Sequence, residues 1–381
     1  MKPTILIFID WYLPGYKAGG PVRSIANLID HLGSDFYFKV ITRNNDYKDD
    51  KPYAGIVAGK WNELSENAEC CYLSPQQTNY SFIKQIIRNT DFDLFYINGI
   101  YSLRFSILPL ILAKKFQDKK IIVAPRGMLA GSAIGVKKLK KIFFLSLAKL
   151  LNIYKNVKFH ATNEKEVFDI KKYINKNSSV QIAPNLPKKV TSGKYLHKKK
   201  SEKKLQLVSV ARISPEKNTL FALTLLDHNY SGEIIFDIYG SVYNNTYWLQ
   251  CKTLIKQLPS NIVVNYKGSI EPDKMEQIYQ NCDFLFLPTR GENFGHSILE
   301  SMSVGTPVII SDQTPWRNLE KKWTGWDINL SDIDKFQKVI QKCTDMNNTE
   351  YSVFSLNSFK FAESYCNSEE LIERSKKIFL I

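Results

Sequence analysis

Hydrophobic residues in this chain fall in short, nearly continuous runs, separated by longer stretches in which apolar positions recur every three or four residues. The runs Ile5–Ile9, Phe38–Thr42, Leu94–Ile97 and Ile121–Ala124 fit strands of a parallel sheet buried on both faces. Helices are predicted over Val22–Leu32, Ile83–Arg88 and Ile107–Phe116. The scheme then repeats. Leu205–Val210, Ile234–Tyr239, Ile262–Lys267, Phe284–Leu287 and Pro307–Ile310 read as strands. Leu220–Leu226, Tyr247–Gln257, Asp273–Gln280 and Ser297–Val304 read as helices. This alternation predicts α/β architecture in two doubly wound, Rossmann-like domains. Between them, Lys188–Lys204 holds 8 lysines in 17 residues with Ser and Gly interspersed, as a surface linker or long loop would. The expected division is 1–187, a linker at 188–204, 205–358, and C-terminal helices within 359–381 that pack back on the first domain. Open α/β sheets bind ligands beyond the carboxyl ends of their strands, so chemistry is sought in the loops that follow strands.

Composition narrows the class. The 381 residues, 44% hydrophobic and 23% charged, suit an ordinary globular protein of two domains and exclude a disordered chain or a small disulfide scaffold. No run approaches 18 apolar residues, and Ile5–Ile9 is too short for a secretion signal. Six scattered cysteines without a C-x-x-C pair suggest a reduced, cytoplasmic enzyme. The net charge of +15 is unevenly placed. Residues 1–200 carry 33 Lys and Arg against 15 Asp and Glu, residues 101–200 alone 23 against 4, and residues 201–381 carry 19 against 22. Such localised basicity points to an anionic partner: nucleic acid, a membrane surface or a phosphorylated substrate. Lys137, Lys138, Lys140, Lys141 and Lys149 accompany Ile142, Phe143, Phe144, Leu145, Leu147, Leu150 and Leu151. That stretch reads either as a basic amphipathic surface for anionic lipid or as a half-buried helix with a solvated lysine face.

The richest segment for chemistry is Phe284–Ile310. A buried strand ends at Pro288, the loop Thr289–Gly295 follows, and a helix begins at His296. Glycines at 291 and 295 let backbone approach a ligand, and free N–H groups at a helix start favour an anion such as diphosphate. Glu292 and Glu300 would lie about 12 Å apart along a continuous helix, beyond the roughly 5–9.5 Å of a glycosidase acid pair. Two carboxylates holding different parts of one extended ligand, a sugar among them, fit better. The plainer alternative is a capped helix with two solvated glutamates. A second segment runs from Leu207 to Lys217. Arg212 and Lys217 flank a turn at a strand's carboxyl end, where they would clamp a diphosphate, unless Glu216 simply pairs with a neighbouring cation.

These segments, with Asp10–Pro21 near the start, resemble a family 4 glycosyltransferase over about Asp10 to Trp326. The resemblance implies a GT-B fold, with two Rossmann-like domains facing across a cleft. It also implies transfer of a sugar from a nucleotide diphosphate donor with retention at the anomeric carbon. It assigns Arg212 and Lys217 to the donor diphosphate and Glu292 to the donor sugar and reaction centre. Phe294 and Gly295 would lie beside that sugar, Glu300 on the ribose, and Gly19 and Gly20 on the donor phosphates. Lys267–Ile270 would flank the nucleobase. No metal or other cofactor is expected, and no enzymic nucleophile is assigned. The sequence departs from the family where Arg126 stands in place of a common histidine after a strand, and where Leu186 replaces a common glycine. Arg126 adds charge to a phosphate site but cannot act as a base. Asn98, Arg126 and His160 are acceptor-side candidates. The surroundings of His160 also have a structural reading, because Asn163 with Glu166 resembles a capping box. Asp91-Phe92-Asp93 precedes a strand and reads as a polar turn.

The leading expectation is a retaining transferase. It would use a UDP- or GDP-sugar and a lipid-linked or growing cell-surface polysaccharide acceptor. It would be cytoplasmic and peripheral on the inner face of the cytoplasmic membrane, with no nucleic-acid partner. The alternatives are a nucleotide-sugar epimerase of the same fold, a basic nucleic-acid-binding protein, and a non-catalytic membrane-associated relative. The nucleic-acid reading finds no recognisable module and leaves Glu292 and Glu300 unexplained.

Overall fold

The computed structural model describes residues 2–116, 118–135, 138–189, 195 and 198–380. The chain divides into two compact units, Met1–Lys189 with Ser368–Ile381, and Val190–Asn367.

The first unit is built on an eight-stranded sheet. In chain order its strands are β1 (Thr4–Ile9), β2 (Tyr37–Arg43), β3 (Trp61–Ser65), β4 (Ala68–Leu73), β5 (Leu94–Asn98), β6 (Lys120–Ala124), β7 (Lys158–Ala161) and β8 (Ser179–Ile182). Their spatial order is β3-β4-β2-β1-β5-β6-β7-β8, all parallel except the β3–β4 hairpin. The apolar runs supply the centre: Leu6, Ile7, Phe8, Phe95, Tyr96 and Ile97 are fully buried. The chain order reverses beside β1, so the loops after β1 and β5 meet at the switch point where such sheets bind ligands.

The second unit has six parallel strands. They are β9 (Lys204–Val210), β10 (Glu233–Tyr239), β11 (Ile262–Gly268), β12 (Phe284–Leu287), β13 (Val308–Ser311) and β14 (Gly325–Ile328). Their order, β11-β10-β9-β12-β13-β14, is the 3-2-1-4-5-6 arrangement of dinucleotide-binding sheets. Its switch point lies between β9 and β12, the strands that precede the two richest motifs.

Several elements differ from the sequence reading. The predicted helix Ile107–Phe116 is a π turn at Leu103–Ile107 continued by a helix at Leu108–Ala113, because Ser102 caps the π turn and Pro109 begins the helix. Phe359–Tyr365 falls within the second unit and not, as expected, with the first. It continues the helix Asn348–Cys366, which buries Tyr351, Phe354 and Ala362 in the second unit's core. Only the helix Glu369–Phe379 belongs to the first unit, where the Phe379 ring meets Phe36, Phe38 and Tyr96 at 5.6, 6.4 and 5.5 Å. The lysine-rich segment is also more than a solvated linker. Its residues 190–194, 196 and 197 lie outside the described ones. Lys198, however, pairs with the nearly buried Asp283 at 2.8 Å, and Lys200 is buried with its ammonium donating to the Lys204 carbonyl at 2.7 Å.

Candidate functional site

In the second unit, the loops after β9 and β12 are sewn together. Asn218 adopts a left-handed conformation, and its amide donates to the Pro288 carbonyl at 3.0 Å while its oxygen accepts from Arg290 Nε at 3.1 Å. Arg290 N–H donates to the Glu216 carbonyl at 2.9 Å, and Thr289 Oγ1 reaches the same carbonyl at 3.2 Å. This stitching brings Lys217 to Glu292, Nζ to Oε1, at 2.7 Å, although 75 residues separate them. Their side chains are only 17% and 10% exposed. Glu216 is therefore not the partner of Lys217, and Glu292 is not a freely solvated surface carboxylate.

Arg212 is held differently. The loop after β9 runs beside the loop after β10, with Ile213 N–H on the Ser241 carbonyl and Tyr243 N–H on the Ile213 carbonyl, both at 3.0 Å. The Arg212 guanidinium lies over the Tyr243 ring at 5.6 Å. Among the described residues it has no hydrogen-bond or ion-pair partner. Its fork of donors is thus oriented by an aromatic face and left open to an anion. Tyr243 has no motif to mark it in the sequence.

The helix His296–Ser303 starts at Gly295, whose φ of 81° suits glycine and whose added Cβ would meet Ile298 Cδ1 at 2.8 Å. Glu292 stands in the loop before this helix and the half-buried Glu300 on it, so their spacing is not helical throughout. The Phe294 side chain is buried against Trp316, and its carbonyl accepts from Trp316 Nε1 at 2.6 Å. What Phe294 can offer a ligand is its backbone N–H. At the end of β11, the Gly268 carbonyl accepts from Gly240 N–H at 2.8 Å, which ties Ile270's segment to the loop after β10.

In the first unit, Gly19 caps the helix Gly20–Leu32 with φ 77°, and a Cβ added there would meet nothing within 4 Å. The loop before it is pinned by the buried Asp46, whose carboxylate accepts from Tyr16 and Lys17 N–H at 2.9 and 3.1 Å. Asp46 escaped the sequence reading because it lies in another loop, 30 residues away. Asp93 accepts from Thr4 N–H at 2.7 Å, which makes Asp91–Asp93 a turn that holds the start of β1.

The acceptor-side candidates form one buried network. Arg126 has φ 54° and points inward, 9% exposed. Its Nε donates to Asn98 Oδ1 at 2.8 Å, Nη2 to the Tyr96 hydroxyl at 2.8 Å, and Nη1 to Asn185 Oδ1. Tyr96 in turn donates to His160 Nδ1 at 2.7 Å. His160 Nε2 then donates to the Ala183 carbonyl at 2.8 Å, and because a carbonyl only accepts, the ring is the neutral Nε2–H form. Burial first, then the Arg126 charge, pushes the His160 pKa down to about 3. Both ring nitrogens are spent and the residue is 2% exposed, so the reading of His160 as an acceptor contact is corrected to a structural one. Arg126 likewise spends its fork on Asn98, Asn185 and Tyr96. Glu166 completes the arrangement. It does not close a capping box but accepts from Thr162 N–H at 2.8 Å and Gly127 N–H at 2.6 Å, fixing the loop after β6. Asn163 caps the helix Glu164–Tyr173 as expected.

Comparison with known proteins bears on both units. The family model for glycosyl transferases group 1 matches residues 195–353. The alpha-galactosylglucosyldiacylglycerol synthase of Streptococcus pneumoniae is 31% identical over 61 residues, 16% of this chain and 16% of that protein. The UDP-N-acetylglucosamine--peptide N-acetylglucosaminyltransferase GtfA subunit of Streptococcus parasanguinis is 25% identical over 186 residues, 46% of this chain and 35% of that protein. The matches thus span 16% and 35% of these relatives' own lengths. Among solved structures, sucrose-phosphate synthase from Thermosynechococcus elongatus superposes with a TM-score of 0.71 at 15% identity, covering 100% of this chain and 98% of that one. At that identity the likeness is one of fold, and the fold is GT-B: two α/β units, each with a parallel-sheet core.

Proposed function

We propose that this chain is a retaining glycosyltransferase of family 4. In this reading it takes a sugar from a UDP- or GDP-sugar and passes it to a lipid-linked or growing cell-surface polysaccharide acceptor. The observation that carries the reading is the joining of Lys217 to Glu292 at 2.7 Å at the second unit's switch point, in two loops of which one also carries the uncommitted Arg212 and the other leads into the helix His296–Ser303. Two cations and a helix N-terminus suit a diphosphate, and a carboxylate among them suits sugar hydroxyls. One relative is named for UDP-N-acetylglucosamine and the other for a diacylglycerol glycolipid, which supports the donor and the lipid acceptor respectively.

The chemistry follows from the charges. The bond between the anomeric carbon and the β-phosphate oxygen breaks, and negative charge grows on the departing diphosphate. Arg212, Lys217 and the peptide N–H groups at Gly295 stabilise that charge without needing a metal. The acceptor hydroxyl attacks from the face the phosphate leaves, and its proton passes to the departing phosphate oxygen. Arrival of the diphosphate gives Lys217 a second anion and leaves Glu292 oxygens for the sugar. Glu300 holds the ribose. Gly19 and Gly20 offer an anion site of the same kind in the first unit. The protein works in the cytoplasm, at the inner face of the cytoplasmic membrane.

Calorimetric titration with UDP, GDP and UMP, without divalent metal, tests the donor site. Saturable binding of one diphosphate is expected, lost in Arg212→Ala and Lys217→Ala. Absence of binding to both diphosphates would refute the reading. The anomeric proton coupling of the product, read by NMR, distinguishes retention from inversion.

A further inference from the structure

We propose that the helix Lys138–Leu150 docks the first unit on an anionic lipid bilayer. The helix has two opposite apolar faces. One is inside: Leu145 and Ala148 are buried, and Phe144 packs on the Tyr101 ring at 5.4 Å. The other faces solvent. Leu139, Phe143, Leu147 and Leu150, spaced by four, four and three residues, form a single stripe and are 85%, 71%, 41% and 77% exposed. Exposed Ile142 and Leu151 widen it. An ordinary surface helix would place polar residues there.

In this helix the polar residues stand at the stripe's edges. At 100° per residue, Lys140 flanks one side and Lys138 and Lys149 the other, all exposed. Lys141 is drawn inward to the Ala133 carbonyl at 2.6 Å, and Lys137 lies outside the described residues. The helix carries no Asp or Glu. Apolar side chains between cationic edges suit a helix lying in a bilayer interface. The leucines and phenylalanine enter the acyl boundary, and the ammonium groups stay level with lipid phosphates. The charge of the surrounding sequence, 23 basic against 4 acidic residues over 101–200, complements an anionic surface on a larger scale. Among the described residues no helix is long and apolar enough to cross a membrane. The inference deepens the proposed function by naming its lipid-side partner, and rests on that reading for its purpose.

The test uses the full chain and sedimentation with vesicles of phosphatidylcholine, alone or with about one third phosphatidylglycerol. Binding to the phosphatidylglycerol vesicles is expected. Leu139→Ser with Phe143→Ser and Leu150→Ser should lower it at least about a hundredfold, since burying one such side chain is worth about tenfold or more. Each of Lys138→Gln, Lys140→Gln and Lys149→Gln should lower it about fivefold, a loss that high salt mimics. All these positions are exposed, so thermal midpoints should not move. No binding by the parent, or equal binding by the stripe variant, overturns the proposal. So does light scattering that shows a parent dimer and a monomeric stripe variant, because the stripe would then cover a second copy. UDP or GDP titration of the stripe variant should be unchanged. Failure of that titration in the parent would refute the transferase reading and leave the vesicle result standing.

Discussion

Acid should weaken the folded parent more steeply than a His160→Gln variant. His160 is held neutral between the Tyr96 hydroxyl and the Ala183 carbonyl. Protonation would set a second N–H against the hydroxyl that donates to the ring, and a second positive charge near Arg126. Its pKa is lowered from 6.5 to about 3 by burial and then by that charge. Between those values the unfolded chain binds a proton that the folded chain refuses, so stability rises with pH and is lost as pH falls below 6.5. The loss approaches about 1.4 kcal/mol per pH unit, or about 2.7 kcal/mol by pH 4.5. That is a large part of the roughly 5–15 kcal/mol that holds a domain together. Glutamine keeps a donor for the Ala183 carbonyl but does not titrate. Urea unfolding followed by tryptophan fluorescence, at steps from pH 7 to pH 4.5, gives the two stability curves. The carboxylates are common to both proteins, so the difference in slope isolates His160. Parallel curves would mean that the ring accepts its proton in the folded state, and the buried network would then be wrongly drawn.

Arg126→Lys should cost about 2–5 kcal/mol of stability, because one ammonium cannot serve Asn98, Asn185 and Tyr96 together. An unchanged thermal midpoint with a raised substrate KM would instead make Arg126 a ligand contact. Glu292→Gln should lower kcat at least about a hundredfold while costing about 1 kcal/mol of stability for the weakened Lys217 pair. Normal turnover would remove Glu292 from the mechanism. Tyr243→Ala should raise the donor KM about three- to tenfold by freeing Arg212 from its ring, with Tyr243→Phe close to the parent. If the phenylalanine variant is as impaired as the alanine one, the ring face is not what orients Arg212.

Much of the fold could be read in the sequence because strands buried on both faces leave near-continuous apolar runs. Phe284–Leu287 is β12 without adjustment, and Leu205–Val210 differs from β9 by one residue. The strands that escaped were β3, β4, β7, β8 and β14. Trp61–Ser65 is largely solvated and Ser179–Ile182 lies at a sheet edge, so both carry polar residues. Lys158–Ala161 and Gly325–Ile328 are as short as β12 but hold Lys and His or Gly and Asp among their four residues, so no continuous apolar run marks them. That Arg212, Lys217 and Glu292 stand in loops just after strands was legible, because strand ends can be placed from local sequence alone. Arg126 and His160 were not, because their direction depends on Tyr96, Asn98, Ala183 and Asn185. Those partners arrive from β5 and from the loop after β8, far from Arg126 and His160 in sequence, and no spacing foretells them. Tyr243 was missed for the same reason, since its significance lies in standing under Arg212.

The placement of the helix Glu369–Phe379 in the first unit matters while the protein is being made. A ribosome releases residues 1–189 first and must then complete Val190–Asn367 before Phe379 emerges. At about 5–20 residues per second, those intervening residues take roughly 10–40 seconds. Throughout that interval Phe36, Phe38 and Tyr96 lack the ring that covers them in the finished protein. The nascent first unit therefore presents a sticky aromatic face to its surroundings, including chaperones and neighbouring nascent chains on the same polysome. Its maturation is coupled in time to synthesis of the second unit, whatever order the two sheets prefer when refolded from denaturant.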